Sequence, residues 1–363
     1  MAERFLWENC ILQRGAVAEE FFRTFFKEGK RRILLIAGAG FDPRTLHFSE
    51  LLADTGPPHL DAIYLREERP NPSPELVEKS EKNLANLRKL IPSLDVQPIA
   101  VFTADNAVVA GRNAIAAIRS HDLGKYSDIC VDCSALSRGV IFPIIKYVLG
   151  SKKADRVNVH VLVADEPATD DSIVAIPWER ADYMLGFRGE SPAAKDPAPA
   201  RLWLPHLVSR HKTAFDLIHR TVDPNDTCPI LPFPAKNPRE PDLLIEEYAN
   251  QLENVWQVDP RNLVYADESN PLDLYRSILR LDSARARVFR QNRTSQLVLS
   301  PLGSKLLSIG SLLAAIERNF PVVYVEAIEY KVSFDQIDQS RQNPGPLVHL
   351  WLQGEAYEVR SAT

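Results

Sequence analysis

The stretch RRILLIAGAGFDPRT, residues 31–45, decides the fold. A basic pair leads into the apolar run RILLIA at 32–37, then Gly38 and Gly40, then Asp42, Pro43 and Arg44. An apolar run without alternation, ended by glycines, reads as a strand buried on both faces that turns sharply into a helix. The chain then repeats the pattern. Strand-like runs at 60–65, 95–102, 128–133 and 157–163 are separated by helical stretches at 44–54, 74–91, 106–120 and 138–149. Parallel strands need helical crossovers of this kind, so the first half predicts an α/β fold with a Rossmann-like or flavodoxin-like parallel sheet.

Flanking segments set the predicted domain organisation. Residues 16–29, AVAEEFFRTFFKEG, have helical apolar spacing and end on Gly29, so 1–30 reads as an N-terminal helical segment ahead of a Rossmann-like domain at 31–166. Proline is dense over 165–205 and 222–242, which predicts neither regular helix nor a central strand there. Trp178, Tyr183, Phe187, Trp203 and Phe233 are interleaved with those prolines, so 167–242 reads as an ordered crossover rather than a flexible linker. Residues 243–363 resume the alternation as a second, smaller α/β lobe. Helices are expected at 241–256, 271–290 and 304–318, strands at 262–266, 295–299 and 321–328, and a last strand with a turn in PLVHLWLQGEAYEV. The second half has the look of a degenerate echo of the first.

Composition narrows the function classes. The net charge of -5 over 363 residues leaves no global basic footprint for nucleic acid, so any phosphate site has to be local. No apolar run reaches the roughly 18 residues of a bilayer span and the first residues lack a signal-peptide pattern, which predicts a cytoplasmic protein without membrane contact. Cys130 and Cys133 are three apart in a strand, hence on opposite faces, and read as buried thiols rather than a metal pair. No phosphate-binding G-x-x-x-x-G-K-[ST], H-E-x-x-H or G-x-S-x-G motif occurs. His206, His211 and His219 read as packed or solvated histidines of a helix, and Asp165, Glu166, Asp170 and Asp171 as solvated loop charges.

Three strand-to-helix junctions carry the candidate site. The first holds Gly38, Gly40, Asp42 and Arg44, the second Asp132, Ser134 and Arg138, and the third Ser300, Gly303, Ser304 and Lys305. Residues at the carboxyl ends of parallel strands gather on one edge, so the first two should share a rim. Helix amino ends present unpaired N–H groups and partial positive charge, and glycine admits a close backbone approach, which suits an anion. On this reading Gly38, Gly40 and Ser134 admit and cap phosphate oxygens, Arg44, Arg138 and Lys305 neutralise them, and Asp42 and Asp132 accept hydrogen bonds or orient the arginines. Pro43 stands where a dinucleotide fingerprint needs its third glycine. A methyltransferase-like reading, with Glu67 or Glu68 as the acidic residue closing the second strand, stays open.

SPLGSKLLSIGSLLAAIERNFPVVYVEAIEY, with Ser300, Gly303, Ser304 and Lys305, resembles the ligand-binding segment of CARF and SAVED-type Rossmann-like domains, and DCSALSR offers a comparable setting around Asp132, Ser134 and Arg138. Those domains sense cyclic oligonucleotides in prokaryotic antiviral systems. The resemblance implies a nucleotide sensor or accessory subunit that acts through a partner protein; a homo-oligomer is a separate expectation. From the residues themselves, the expectation is binding of a nucleotide or another phosphorylated small ligand. A nucleotide- or S-adenosylmethionine-dependent transferase or hydrolase using Asp42 or Asp132, and a structural subunit without a ligand, are the alternatives; no cofactor is assigned.

Overall fold

The computed structural model describes residues 5–189, 199–289, 295–337 and 345–357. Two compact units emerge: residues 10–176 with 328–363, and an inserted unit of residues 1–9 with 177–327.

The first unit is built from β1 (Ile11–Arg14), α1 (Ala16–Phe25), β2 (Arg32–Gly38), α2 (His47–Thr55), β3 (His59–Glu68), α3 (Pro74–Leu90), β4 (Leu94–Ala100), α4 (Ala110–Arg119), β5 (Asp128–Asp132), α5 (Arg138–Leu149), β6 (Asn158–Ala164) and α6 (Pro167–Ser172). It also includes the start of β7 (Ile173–Tyr183). In β2, Ile33, Leu35 and Ala37 pack with Phe22 and the C-cap Phe26 of α1, Phe48 of α2 and Leu87 of α3. Leu34 and Ile36, equally buried, point to the opposite face, as the alternation of a strand requires. The opening run is therefore apolar throughout because its sheet is covered on both sides.

The inserted unit holds the rest of β7, then β8 (Ala200–Pro205), α7 (Lys212–Val222), β9 (Asp226–Thr227), β10 (Ile230–Pro232), α8 (Glu240–Glu247), β11 (Val264–Ala266), α9 (Pro271–Phe289), β12 (Ser295–Ser300), α10 (Lys305–Arg318) and the first half of β13 (Val323–Val332). Its core gathers Trp203, Phe215, Tyr248, Trp256, Val298 and Val323. The chain then returns through the second half of β13 and adds β14 (Leu347–Gln353) to the first unit.

The main sheet has seven strands in the order β1-β14-β6-β5-β2-β3-β4. β6, β5, β2, β3 and β4 run parallel, while β14 pairs antiparallel with both β6 and β1. In order of appearance the parallel strands read 3-2-1-4-5, the doubly wound order, and the direction of winding reverses between β2 and β5. The fold is α/β with a Rossmann-like parallel sheet, as its sequence predicts. The inserted unit follows the same order. β8 pairs parallel with β12, β12 is bridged to the start of β13 at Leu299 and Val322, β8 to β10 at His206 and Ile230, and β10 pairs parallel with β11. The row β11-β10-β8-β12-β13 is again 3-2-1-4-5, so the echo is one of topology.

The predicted boundaries need correction. Residues 16–25 are not a separate helical segment, because Phe22 and Phe26 belong to the core of the first unit. The strand β14 does not belong to the second lobe: it covers the edge of β6, a strand buried at every position that would otherwise expose an unpaired backbone ladder. Within the proline-rich stretch, β8 is a central strand after all, since 200–204 contain no proline and Pro205 only ends it. Pro177 does lie inside β7, where it is tolerated because, among the described residues, β7 pairs with β13 alone. The helix expected at 241–256 stops at Glu247 and continues as a π-helical turn over Gln251–Val255. Residues 190–198 of the proline-rich stretch, position 290 of the predicted helix and positions 358–359 of the last strand lie outside the described residues. Among the described residues no helix is long and apolar enough to cross a membrane.

A buried polar chain crosses the sheet of the first unit. Asp128 Oδ1 lies 3.3 Å from His160 Nε2, His160 Nδ1 2.8 Å from His349 Nε2, and His349 Nδ1 2.9 Å from Gln13 Oε1. Burial alone would raise the Asp128 pKa, but hydrogen bonds from His160, Ser127 and Asn158 bring it below the ordinary range, so it is ionised. An ionised Asp128 fixes the proton of neutral His160 on Nε2, so His349 Nε2–H donates to His160 Nδ1. The neutral chain then closes when the Gln13 amide presents its nitrogen to His349. Burial holds both histidines below their usual pKa, and His160 adds to the effect at His349. The unfolded chain therefore binds protons that the folded chain refuses. Stability from this pair should be complete above about pH 6.5 and fall as the pH drops from there toward the folded-state values. Urea midpoints measured between about pH 7.5 and 5 should decline, and His349→Gln should flatten the decline.

Candidate functional site

At the carboxyl edge of the first unit, the predicted first and second junctions meet across the winding reversal. β2 and β5 are adjacent and parallel, and a Cβ at Gly38 would lie 3.1 Å from the backbone of Ala135, so glycine is what lets the two turns touch. Gly40 faces open space at its Cβ position and its carbonyl accepts from Asn83 Nδ2 at 2.9 Å. Asp42 caps the 3-10 turn Pro43–Leu46 by accepting from the Arg44 N–H, with Pro43 pre-set for the first position. Thr45 returns a hydrogen bond to the Gly38 carbonyl.

Arg44 is 2% exposed and fully engaged. Its Nε lies 3.0 and 3.1 Å from the two Asp42 oxygens, its Nη2 2.7 Å from Asp42 Oδ2, and its Nη1 2.8 Å from Asp170 Oδ1. Burial alone would lower its pKa, but the two carboxylates together hold it above its ordinary value. The expected role of neutralising a phosphate therefore falls away for Arg44, whose charge the protein already balances. Beside it, Glu166 Oε1 lies 3.1 Å from His47 Nδ1 and Glu166 Oε2 accepts from Thr169; burial pushes the carboxyl above its usual range. Asp165 pairs with Arg14 at 2.5 Å. Asp165 and Glu166 are buried rather than solvated, because β14 packs over the exit of β6; Asp170 and Asp171 are exposed, on α6.

At the second junction, Asp132 Oδ1 accepts from the Ser134 N–H at 2.9 Å and from its hydroxyl at 2.5 Å, and Ser134 Oγ accepts from the Ala164 N–H at 2.8 Å. Ser134 thus ties β5 to β6 instead of facing a ligand. The helix α5 starts just beyond. Ser137 is its N-cap but makes no side-chain cap, and the buried Ser137 hydroxyl has no hydrogen-bond partner among the described residues. Arg138 follows, half-buried, in a first turn without acidic residues. The Ser137 N–H donates to Glu67 Oε1 at 2.7 Å, and Glu67 Oε2 accepts from Arg69 at 2.9 Å. Arg69 lies over the Tyr330 ring at 4.8 Å, and Tyr330 meets Phe41 at 5.8 Å. Glu67 and Ser137 join the site although the anion reading passed over them. A serine directly before a helical run is a cap signal, and it could have flagged Ser137.

The third junction belongs to the inserted unit, at its own winding reversal between β8 and β12. Ser300 Oγ accepts from Trp203 Nε1 at 2.9 Å and donates to the Val323 carbonyl at 2.8 Å, so it is a structural hydroxyl. Ser304 caps α10 through the Leu307 N–H, Lys305 opens the helix half-buried, and a Cβ on Gly303 would lie 3.3 Å from that of His206. His206 is fully buried at the end of β8, 2.7 Å from Ser311 Oγ, and not on a helix. His211 and His219 do sit at the start and within α7. Among the described residues no group of three or more His, Cys, Asp and Glu side chains is disposed to hold a metal ion.

No family model and no curated protein matches the chain. Among solved structures, a Rhodobacter sphaeroides protein assigned to the Zn-dependent alcohol dehydrogenases matches at 11% identity and a TM-score of 0.20, over 40% of this chain and 46% of its own. A Pseudomonas aeruginosa UCBPP-PA14 protein assigned to the universal stress proteins matches at 10% identity and a TM-score of 0.24, over 87% of this chain and 98% of its own. At such scores neither likeness carries an argument about this chain.

Replacing Arg44 by Ala strands Asp42 and should lower stability by about 3–5 kcal/mol, read from urea denaturation. Asp170→Ala should cost clearly less, since the Asp170 side chain is 41% exposed.

Proposed function

We propose that the chain is a binding protein that takes a nucleotide or another phosphorylated small ligand at the carboxyl edge of its first unit, between β2 and β5. The observation that carries this reading is the winding reversal between β2 and β5: the turn after β2, with Gly40 open at its Cβ position, and the start of α5, whose first turn holds Arg138 and no acidic residue, both lie at the carboxyl edge where doubly wound sheets hold their ligands. The N–H groups of Gly40, Arg138 and Gly139 would receive phosphate oxygens, and the Arg138 side chain would supply the positive charge. Phe41 and Tyr330 offer apolar ring surface to the remainder of the ligand. The resemblance to CARF and SAVED-type domains makes a cyclic oligonucleotide the first ligand to try, with signalling through a partner protein as its consequence.

The transferase or hydrolase reading is less well supported. Asp42 is tied up by Arg44, and one Asp132 oxygen accepts both Ser134 bonds, which ill suits an acid-base group. A structural role without a ligand has one observation in its favour, the closure of Arg44 by Asp42 and Asp170.

Calorimetry of the full chain against ATP, a cyclic oligoadenylate, S-adenosylmethionine and inorganic phosphate tests these readings. Saturable binding of a phosphorylated ligand, weakened about tenfold or more in Arg138→Ala with unchanged melting, is the expected result. Absence of binding at millimolar concentrations of all four leaves the structural reading standing, and release of product from a bound ligand would favour the enzyme.

A further inference from the structure

Four neighbouring strands of the first unit each bring one polar side chain to a single buried row. Asp128 stands on β5, His160 on β6, His349 on β14 and Gln13 on β1, joined end to end at 3.3, 2.8 and 2.9 Å. Asp128, His160 and His349 are fully buried, and among the described residues the two rings have no further hydrogen-bond partner. A buried polar row is costly unless every member is bonded, so its geometry limits how many protons it can hold.

The surroundings leave the row no other outlet. α1 covers the rings with Phe21, stacked on His349 at 4.7 Å, and with Phe22, Phe25 and the C-cap Phe26 edge-on. Trp351 of β14 lies 5.1 Å from His160. On β5, Cys130 shares the face of Asp128 and stays a thiol, since burial and Asp128 both raise its pKa. Asn158 of β6 donates to Asp128 at 2.9 Å. Arg31 meets the Asp128 carboxylate at 3.2 Å and Glu355, beyond β14, at 2.7 Å. On β1, Arg14 pairs with Asp165 instead.

A count of protons gives two permitted states. With none added, His160 Nε2–H donates to Asp128, His349 Nε2–H donates to His160 Nδ1, and the Gln13 amide nitrogen donates to His349 Nδ1. Of the two ring nitrogens without hydrogen, His160 Nδ1 faces an N–H, whereas His349 Nδ1 faces a carboxamide that can turn. A proton from solvent therefore binds at His349 Nδ1, Gln13 turns its oxygen to accept, and the proton between the rings crosses from His349 Nε2 to His160 Nδ1. The charge ends on His160 beside ionised Asp128, with every bond kept. A second proton finds only His349 Nε2, which now faces the His160 N–H across 2.8 Å. Two donors and two cations then oppose each other with no acceptor between them.

We propose that this row is a proton-operated latch on β14: it takes up one proton by relay from Gln13 to His160 with the strands still paired, and a second proton parts β14 from β6. The latch is independent of the nucleotide reading. The full chain with isotope-labelled histidine is followed by NMR from about pH 8 to 4, with amide hydrogen exchange read over the same range. His160 and His349 should respond together at one midpoint, as a shared proton requires, without faster exchange. At lower pH the amides of β14 and β1 should exchange faster while those of β2 and β3 stay protected. Gln13→Glu gives the incoming proton a charged acceptor and should raise the shared midpoint by about one pH unit, and Gln13→Met removes the acceptor and should lower it by as much. A glutamine that only fills space would leave that midpoint where it is. Separate midpoints for the two rings in the unaltered chain, an unmoved midpoint in either folded variant, or loss of protection in β2 as early as in β14 would overturn the proposal.

Discussion

The buried guanidinium of Arg44 is the interaction on which the carboxyl edge of the first unit depends. Where the winding reverses between β2 and β5, neighbouring connections leave in opposite directions, and the polar ends of several strands are left without helical cover. Arg44 fills that gap by joining Asp42, in the turn after β2, to Asp170, in α6 after β6. It thereby spans the edge from one side of the reversal to the other. A buried charge of this kind adds little net stability when complete and a large penalty when broken, so the turn and the 3-10 segment after β2 depend on it most and α6, held through the exposed Asp170, less.

The inserted unit solves the same topological problem with different chemistry. Its reversal between β8 and β12 is closed by neutral groups: Ser300 between Trp203 and the Val323 carbonyl, and His206 against Ser311. Ion pairs close one edge and hydroxyls the other, although both sheets share the order 3-2-1-4-5. Shared topology therefore does not imply shared ligand chemistry, and the two edges call for separate functional readings.

Much of the architecture could be read from the sequence because burial on both faces leaves a plain trace: RILLIA, DICVDC and VNVHVLV are strands that need no alternation. The sharing of a rim by the first two junctions followed from parallel pairing alone. What escaped notice depends on distant partners. β1 is four residues long and acquires meaning only beside β14, over three hundred positions later. Arg44 and Ser134 look like anion ligands in a linear reading, since nothing local reveals that Asp170 and the Ala164 N–H already claim them. β8 was hidden by proline density averaged over a window wider than the strand itself.

The return of the chain to its first unit through β14 has a consequence for biosynthesis. By the time residue 176 leaves the ribosome, six strands of the main sheet have been made, but β6 still shows a bare edge and β1 has no neighbour. The whole inserted unit has to be translated before Leu347–Gln353 arrive to seal them. The inserted unit is contiguous apart from its short N-terminal piece and can mature first, while the earlier-made half waits as an unsealed sheet exposed to pairing with other chains.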